Sequence, residues 1–479
     1  MPYPSLKHYM RLQPLSQFDF LVNARFKSSV ILSKPEAVLL SLCGGVYDLD
    51  TITHIYTSTF RLDPAKAQTE IQETFDKYAP FLDLLDTQTQ TKLFYNPLDF
   101  LKVREPNKSL AKFRQESPTH LTMSLTYSCN HRCIYCCNSS GQRRKNELST
   151  EDWLRVVDEA AEMGVVGMIF SGGEPTMHPG FLSIIERAIQ RRIYPAISTN
   201  GTRLTEPLVE QLARTGADYI HLSMSATTPS LYDEIVGYKG NLPAAQQAIR
   251  LLKKYGFYVR VKMVIMPINL GEVENLLESC YELGADFVHL CPFQLTHLAR
   301  QGGELLLSLD QIKDLNARVQ QKTLEFTARP MVVDTPLEID LRWQKPGDIV
   351  RCGGIKSTCT VLPDGEVTHC EVLGGTSEFS IGNVREAALS KIWLSERANQ
   401  LLVNLPYDRI EEPCKSCEYL AECKTGCYVC SLISSDNPWS VDPRCWKSNL
   451  PDNPFGPPLQ PDYSERPNNS ITMSPCEQI

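Results

Sequence analysis

Three cysteines, Cys129, Cys133 and Cys136, are the residues of this sequence best suited to chemistry. Their offsets of four and three do not suit one face of a β-strand, because a strand repeats every two residues. They suit a loop that gathers three thiolates around one inorganic centre. A [4Fe–4S] cubane usually takes four cysteines, so three ligands leave one iron open. The spacing favours an iron–sulfur cluster with a vacant position for another molecule.

The same cysteines have two other uses that spacing alone leaves open. Structural zinc takes four ligands, usually with a CxxC knuckle, and His131 lies inside the loop with poor reach. Disulfides belong mainly to exported proteins, but the N-terminus carries no basic-then-apolar signal peptide. An iron–sulfur cluster is therefore favoured over a zinc site and over disulfides.

A glycine-rich turn follows the next apolar run. Val165–Phe170 is typical of a buried strand, and the sequence SGGEP follows it at residues 171–175. Gly172 and Gly173 would let the backbone approach a ligand closely, and the Glu174 carboxylate could hold an ammonium group. A turn of this kind is weak evidence alone, since strand-to-helix turns often carry glycine.

Together, these segments resemble the signature of the radical S-adenosylmethionine (SAM) enzymes. In that family, CxxxCxxC with an aromatic before its last cysteine (here Tyr135) holds a cluster whose free iron binds the amino and carboxylate groups of SAM. Residues 171–175 resemble the motif for the SAM amine, and Ile197–Gly201 resembles the segment near the ribose. His221–Ser225 ends a strand where the family often places a SAM-contacting serine. The resemblance implies SAM contacts from Gly172, Gly173, Glu174, Pro175, Ser198, Asn200 and Ser223.

Apolar strands and amphipathic helices alternate from residue 119 to residue 330, which is the rhythm of a β/α barrel. The chemical motifs fall at strand C-terminal ends, where barrel active sites are built. The sequence therefore predicts an α/β protein with a partial (β/α)6 barrel of the TIM type, an N-terminal winged-helix-like module and a Cys-rich C-terminal iron–sulfur domain. The predicted strands are Leu121–Leu125, Gly167–Phe170, Tyr194–Ser198, Tyr219–Ser223, Tyr258–Ile265 and Phe287–Pro292.

Most of the 17 cysteines lie after residue 350. They form a C-x12-G-x4-C pattern, in which Gly365 is the glycine, and then C-x2-C-x5-C-x3-C-x17-C. This tail resembles the SPASM domain, which binds two auxiliary [4Fe–4S] clusters. Zinc knuckles are the competing interpretation. The resemblance implies one cluster on Cys414, Cys417, Cys423 and Cys445, and another on Cys352, Cys370 and Cys427 with Cys359 as the eighth ligand.

The first 95 residues form a separate module. A hairpin over Leu21–Arg25 and Ser29–Leu32 is expected, followed by helices at Pro35–Leu42, Asp50–Phe60 and Asp63–Tyr78. This pattern resembles the PqqD-like modules that bind the leaders of ribosomally made peptides, where the leader adds a strand to a sheet edge. We expect a linker at 96–118, the barrel at 119–330, the auxiliary-cluster domain at 345–450 and a disordered tail at 451–479, which is rich in Pro, Asn and Ser.

Composition and charge restrict the partners. A net charge of −8 and a pI near 5.7 argue against nucleic-acid binding. No apolar run approaches the roughly 18 residues of a membrane span, so a cytoplasmic enzyme without a membrane partner is expected. The resemblance adds a precursor peptide with its leader, and an electron donor such as flavodoxin or ferredoxin.

The implied reaction is hydrogen abstraction from a peptide by the 5′-deoxyadenosyl radical, with the auxiliary clusters removing a second electron. Glu371 matches the place where sulfatase-maturing relatives carry a general base, and Cys291 ends the sixth barrel strand facing the cavity. Both are candidate catalytic residues. Each has a structural alternative, a surface carboxylate and a buried unreactive thiol.

The predicted function is a radical SAM peptide maturase that installs a C–C or thioether crosslink in a ribosomally synthesised precursor. Three alternatives stay open at this point: anaerobic formylglycine formation on a sulfatase, peptide epimerisation or splicing, and a zinc-stabilised adaptor without catalytic activity.

Overall fold

A computed structural model describes residues 2–15, 18–26, 28–90, 92, 94–104, 114–138, 140–293, 303–305, 307–334, 354–373, 377–403, 408–423, 425–435, 437–442 and 445. Two predictions lie outside these residues: Cys352 as a cluster ligand and the tail at 451–479.

The N-terminal module pairs its first strand with its last and builds a separate three-stranded sheet. Its elements are β1 (Tyr3–Leu6), β2 (Met10–Pro14), β3 (Asp19–Asn23), β4 (Ser28–Leu32), α1 (Lys34–Leu42), α2 (Leu49–Phe60), α3 (Pro64–Tyr78) and β5 (Leu82–Leu85). The antiparallel sheet has the order β2-β3-β4, while β1 pairs with β5. The predicted hairpin and three helices correspond to β3, β4 and α1 to α3. The sequence prediction missed β1, β2 and β5, since strands of only four or five residues give little alternation.

The helices of this module begin where side chains cap them. Ser33 and Glu36 form a capping box at the start of α1, and Asp48 and Asp63 accept backbone N–H bonds at the starts of α2 and α3. Each cap satisfies a donor that the first turn would otherwise leave unpaired. A short helix, α4 (Leu98–Leu101), follows the module.

The central unit is a partial barrel of parallel strands, as predicted. It contains β6 (His120–Ser124), α5 (Thr150–Met163), β7 (Gly167–Ser171), α6 (Phe181–Gln190), β8 (Tyr194–Thr199), α7 (Glu206–Thr215), β9 (Tyr219–Ser223), α8 (Pro229–Val236), α9 (Leu242–Lys254), β10 (Tyr258–Ile265), α10 (Val273–Leu283), β11 (Phe287–Pro292), α11 (Leu309–Thr323) and β12 (Val332–Asp334). Strands β6 to β12 pair in chain order, all parallel.

Side chains alternate between the two faces of these strands. Residues such as Phe170, Leu222 and Val261 are fully buried in the main hydrophobic core. Their neighbours in sequence point the other way, into the barrel. The alternation therefore separates an apolar outer face from a polar interior.

The Cys-rich domain continues the barrel sheet. Its elements are β13 (Thr358–Val361), β14 (Glu366–Thr368), β15 (Ser380–Asn383), α12 (Leu389–Trp393), α13 (Glu396–Val403), α14 (Leu420–Cys423) and α15 (Tyr428–Ser435). Strand β13 pairs in parallel with β6, so the described sheet has ten strands. Gly365 makes the turn between β13 and β14 at φ +88°, where an added Cβ would lie 2.6 Å from Asn383 Oδ1. The glycine in the cysteine pattern is thus explained by a tight turn.

The turn between β3 and β4 closes the N-terminal end of the barrel, which we call the barrel floor. Its Ala24 carbonyl lies 3.4 Å from His120 Nε2, and the Phe26 ring packs against Tyr258 with centroids 5.8 Å apart. The Arg25 guanidinium lies 4.5 Å from the Tyr9 ring centroid and 4.8 Å from that of Tyr258. The N-terminal module and the barrel thus share a buried contact.

Asp218 is the anionic partner at this floor. It accepts a charge-assisted bond from Arg25, a bond of 2.7 Å from the Tyr194 hydroxyl, and a contact of 2.5 Å from His8. Arg25 also donates to Tyr194 Oη over 3.0 Å. Every charge in this group has a partner within the group.

In the described part of the chain, no helix is both long enough and apolar enough to cross a membrane.

Candidate active site at the barrel mouth

The three-cysteine loop follows β6 at the C-terminal end of the barrel, which we call the barrel mouth. Cys129, Cys133 and Cys136 are half-buried and unpaired by disulfides. Burial, with a smaller contribution from the neighbouring Cys136 charge, raises the pKa of Cys129 to about 11 and that of Cys133 to about 12. The three sulfurs therefore share one neighbourhood, where a metal centre would replace the thiol protons.

Helix α8 holds this loop from outside. The backbone N–H of Arg132 donates to Val236 O over 2.8 Å, and that of Ile134 donates to Ile235 O over 3.0 Å. His131 is buried, with Nε2 2.9 Å from Asn241 Nδ2, and burial lowers its pKa to about 4. The His131 imidazole thus contacts the start of α9, whereas the His131 backbone N–H donates to Cys129 Sγ over 3.4 Å.

The SGGEP turn packs directly on the segment that leads into the cysteine loop. Gly173 N donates to Thr126 O over 2.7 Å, and Glu174 N donates to Ser128 O over 2.8 Å. An added Cβ on Gly173 would lie 2.2 Å from Ser128 O, and Gly172 adopts φ +122°. The glycines therefore allow two pieces of protein backbone to meet, a role the sequence prediction gave to a bound ligand.

Glu174 is completely buried and joins three segments. Its Oε1 accepts from the Thr199 hydroxyl over 2.7 Å and from the Thr176 hydroxyl over 2.6 Å. Its Oε2 accepts from Asn200 N over 2.8 Å. Burial raises the pKa of this carboxyl, while the hydrogen bonds oppose that shift. Pro175, which follows, is buried and starts a short 3₁₀ turn.

Asn200 extends the connection to the cysteine loop. Its Nδ2 donates to Asn130 Oδ1 over 2.9 Å, and Asn130 in turn donates to the Thr202 hydroxyl over 2.8 Å. The structure therefore brings the cysteine loop, the SGGEP turn and the segment after β8 into one hydrogen-bonded unit.

Three other predicted site residues line the interior of the barrel. Ser198 on β8, Ser223 on β9 and Cys291 on β11 are half-buried, while their sequence neighbours Ile197, Leu222 and Leu290 belong to the outer core. Alternation thus directs all three side chains toward the cavity.

Glu371 lies where the Cys-rich domain meets the mouth. Its Oε1 accepts from Asn138 Nδ2 over 2.9 Å and from the Ser171 hydroxyl over 3.0 Å. Asn138 also donates to Gly172 O over 3.3 Å. The half-buried Glu371 carboxylate therefore lies beside Ser171 at the end of β7. Its other partner, Asn138, follows the predicted cluster ligand Cys136 by two residues.

Four downstream cysteines are brought together as one set. The Cys414 thiol is influenced by the charges of Cys423, Cys445 and Cys417, and burial raises its pKa to about 12. Cys417 N donates to Cys414 O over 3.0 Å, as in a tight CxxC turn. The SPASM resemblance assigns one cluster to these four cysteines, and that assignment stays a prediction.

The second predicted set is less complete. Cys370 lies close enough to influence Cys137, and Cys427 N donates to Asp442 Oδ2 over 2.9 Å. Cys359 instead faces the hydrophobic core beside Arg114, opposite Leu121 of β6. The role of Cys359 as the eighth ligand therefore stays a prediction. Within the described residues, no three His, Cys, Asp or Glu side chains are grouped so that they could hold one metal ion.

Several residues of this unit were not predicted. Three of them, Asn130, Asn138 and Thr199, lie inside or beside the quoted motifs, but no role was assigned to them. Their polar side chains, so close to the motifs, could have identified them as candidates. Glu147 gave no signal, yet its buried carboxylate accepts from Thr126 Oγ1 over 2.7 Å and from Tyr127 N over 3.0 Å.

Comparison with family models assigns the two catalytic parts. The radical SAM superfamily model matches residues 123–280, and the SPASM iron–sulfur cluster-binding domain model matches residues 352–418. These matches include the three-cysteine loop, the SGGEP turn and part of the Cys-rich tail.

Two relatives in sequence are PqqA peptide cyclases. The cyclase of Granulibacter bethesdensis is 30% identical over 334 residues, which are 69% of this chain and 87% of the relative. That of Gluconobacter oxydans is 30% identical over 333 residues, which are 68% of this chain and 90% of the relative.

Solved structures show the same fold at lower identity. Streptococcus suis SuiB bound to its precursor peptide SuiA superposes with a TM-score of 0.67 at 18% identity, covering 92% of this chain and 98% of SuiB. The enzyme anSMEcpe with bound SAM gives 0.53 at 18% identity and covers 68% of this chain and 94% of that protein. The SuiB likeness extends over more of the chain and therefore includes part of the N-terminal module.

Proposed function

This chain belongs to the radical SAM superfamily, in the SPASM-containing group of the PqqA peptide cyclases, and from that premise we propose that it is a peptide maturase that installs a crosslink in a ribosomally synthesised precursor. The observation that carries the proposal is the 30% identity to a peptide cyclase over 87% of that relative's length. The precursor-peptide complex of SuiB, which has the same fold, agrees with a peptide substrate.

The residues at the barrel mouth fit a SAM-binding cluster. Cys129, Cys133 and Cys136 would hold it, and the close contact between the Gly173 and Ser128 backbones would position the SAM site beside that cluster. When bound, the cluster and SAM supply a 5′-deoxyadenosyl radical that abstracts a hydrogen atom from the peptide.

The chain's own residues orient these groups. Glu174 holds Asn200 and Thr199 in place while its Oε2, with one described bond, can also accept from the SAM ammonium. Ser198 and Ser223 would offer hydroxyls to SAM from two neighbouring strands. The closed barrel floor keeps water from entering at the opposite end.

The Cys-rich domain would hold two auxiliary clusters. One of them would take Cys414, Cys417, Cys423 and Cys445. Because four thiolates leave no iron open to substrate, this cluster is suited to electron relay. Cys352, Cys370 and Cys427 would hold the other. The core location of Cys359 supports three protein thiolates there, which leaves an iron available to substrate.

Two further residues contribute at the mouth. Glu371 has one oxygen engaged by Asn138 and Ser171 and would accept a proton from the substrate through the other. Cys291 lies across the cavity from it on β11 and is the second candidate for contact with the substrate.

Leader recognition would use the edge strand of the N-terminal sheet. In the described residues, β4 pairs only with β3 and exposes Val30 and Ile31, which are 43% and 54% exposed. An extended apolar leader could add a strand there through backbone hydrogen bonds. A carrier such as flavodoxin or ferredoxin would supply the electron.

The decisive experiment is anaerobic reconstitution followed by high-resolution mass spectrometry. The full chain should bind about twelve irons, three clusters of four, and form 5′-deoxyadenosine from SAM on reduction. Short peptides encoded beside its gene are the candidate precursors. A loss of about two hydrogens, with fragment ions missing between two residues, is expected for a crosslink.

Other outcomes would contradict the proposal. An aldehyde trapped by a hydrazide probe would indicate formylglycine, and solvent deuterium uptake without other mass change would indicate epimerisation. Stoichiometric zinc in place of iron would remove the radical chemistry altogether.

The leader site has its own test. Ile31→Asp should weaken binding of the confirmed precursor about tenfold or more, because it places a charge on an apolar docking edge. Val103→Asp is the matched control, since Val103 is 91% exposed outside this sheet. Equal effects of the two variants would reject the β4 edge as the docking site.

A further inference from the structure

A cation in the barrel interior stands apart from the other charges there. Lys262 lies on β10 between Val261 and Met263, which are fully buried in the outer core. Alternation therefore directs the half-buried Lys262 side chain into the cavity, on the same face as Tyr258 and Arg260. Its parallel-strand neighbours in register are Ser223 on β9 and His289 on β11.

The charged groups beside Lys262 on β10, β11 and β12 are paired with one another. Asp334 Oδ2 lies 2.9 Å from His289 Nδ1 and 3.8 Å from Arg260 Nη2. The Arg260 guanidinium also lies 4.4 Å from the ring centroid of Phe287. These groups balance one another and leave no anion for Lys262.

The described carboxylates near the mouth bond to groups other than Lys262. Glu174 holds the three segments already described, and the bonded oxygen of Glu371 accepts from Asn138 and Ser171. No described carboxylate lies within 4.0 Å of Lys262 Nζ in an ion pair, although the Lys262 charge does act on Cys137 beside the cluster loop. Lys262 thus lies in register with Ser223, on the cavity side of β10.

Withdrawing an ammonium from water is costly unless an anion or hydrogen-bond acceptor compensates it. From this geometry we infer that Lys262, with the adjacent Ser223 hydroxyl, binds a carboxylate inside the barrel. The inference rests on the proposed function, which supplies two sources of that carboxylate: the methionyl end of SAM and an acidic side chain of the peptide. The two sources share their chemistry and are separated by experiment.

The test uses the full-length, anaerobically reconstituted protein with Lys262→Met. Lys391→Met is the matched control, because Lys391 is exposed on α12. Iron content and thermal midpoint establish that each variant folds and loads its clusters. SAM is titrated first by equilibrium dialysis. N-acetyl-glutamate amide is then titrated into the SAM-loaded protein, with N-acetyl-glutamine amide as its neutral match.

If SAM provides the carboxylate, Lys262→Met raises the Kd for SAM about tenfold or more, the size of a lost charge-assisted bond. Lys262→Arg should recover most of that loss, and Lys391→Met should show none. If the peptide provides it, the Kd for SAM is unchanged. The wild-type protein then prefers the glutamate probe over the glutamine probe, and Lys262→Met abolishes this preference.

Unchanged SAM affinity together with no preference for the glutamate probe would overturn the inference. Failure of the proposed function has a different signature: the wild-type protein would not form 5′-deoxyadenosine on reduction, whatever Lys262 binds.

Discussion

The two ends of the barrel use polar residues in opposite ways. At the floor, Arg25, Asp218 and Tyr194 bond to one another and close the space between the N-terminal module and the strands. At the mouth, Ser198, Ser223 and Lys262 face the cavity and remain half-buried. Groups that satisfy one another contribute to stability, whereas groups that converge on a cavity with bonding capacity left over are suited to bind a ligand.

The largest loss of activity should come from removing a predicted cluster ligand at the barrel mouth. Cys133→Ala removes one of three predicted ligands of the SAM cluster, so reductive formation of 5′-deoxyadenosine should fall to background. Iron should fall by about four per chain. The contacts at the barrel floor should stay intact, so the near-UV circular dichroism of the tyrosines there should be retained. Undiminished SAM cleavage would remove this cysteine from the cluster.

Gly173→Ala tests whether the mouth depends on the close approach of its two motifs. The added methyl would lie 2.2 Å from Ser128 O and must displace the cysteine loop, so SAM cleavage should fall at least tenfold. Gly164→Ala is the control, because Gly164 has φ +86° but no atom within 4 Å of the added carbon. It should cost about 1 kcal/mol of stability and leave SAM cleavage unchanged. Equal losses of activity would mean that backbone strain, rather than contact with the loop, matters.

Disrupting the ion pair at the barrel floor should lower the free energy of unfolding more than it lowers the rate of SAM cleavage. Arg25→Met leaves Asp218 without its cation; the two side chains are 11% and 24% exposed, so the loss should be about 2–4 kcal/mol in denaturant unfolding. The double variant with Asp218→Asn should recover part of it. Arg214→Met, which breaks a surface pair with Glu210, should have little effect. If Arg25→Met abolished SAM cleavage at unchanged stability, the floor would belong to the active site.

The smallest effect concerns acid sensitivity within the N-terminal module. Burial opposes ionisation of Glu36, but bonds from Lys77, Ser33 and Tyr78 prevail and lower its pKa to about 2. A carboxyl whose pKa falls on folding stabilises the protein fully above its unfolded value of about 4.5, and that contribution disappears as the pH drops toward 2. Lys77 is 55% exposed, so screening limits the contribution to about 1 kcal/mol.

Hydrogen exchange at the start of α1, followed between about pH 5 and pH 3, measures this contribution. Glu36→Gln should remove the pH dependence and expose the same amides at every pH. A variant that keeps the dependence would assign it to another carboxyl.

The sequence by itself determined the repeating βα pattern, the cysteine spacing and the SGGEP turn, because periodicity and ligand spacing are local properties of a chain. Local signals also located β6 to β11 closely. They did not reveal β1, β2 or β5, whose few residues acquire meaning only when their partners pair with them.

Only the tertiary structure decided what those residues contact. It brought Gly173 against the backbone of Ser128, placed Cys359 beside Arg114, and put Arg25 into the barrel floor. It also separated Lys262 from Arg260, two similar cations on one strand, by giving a carboxylate partner to the latter. Such distinctions depend on residues far apart in the chain, and packing alone brings them together.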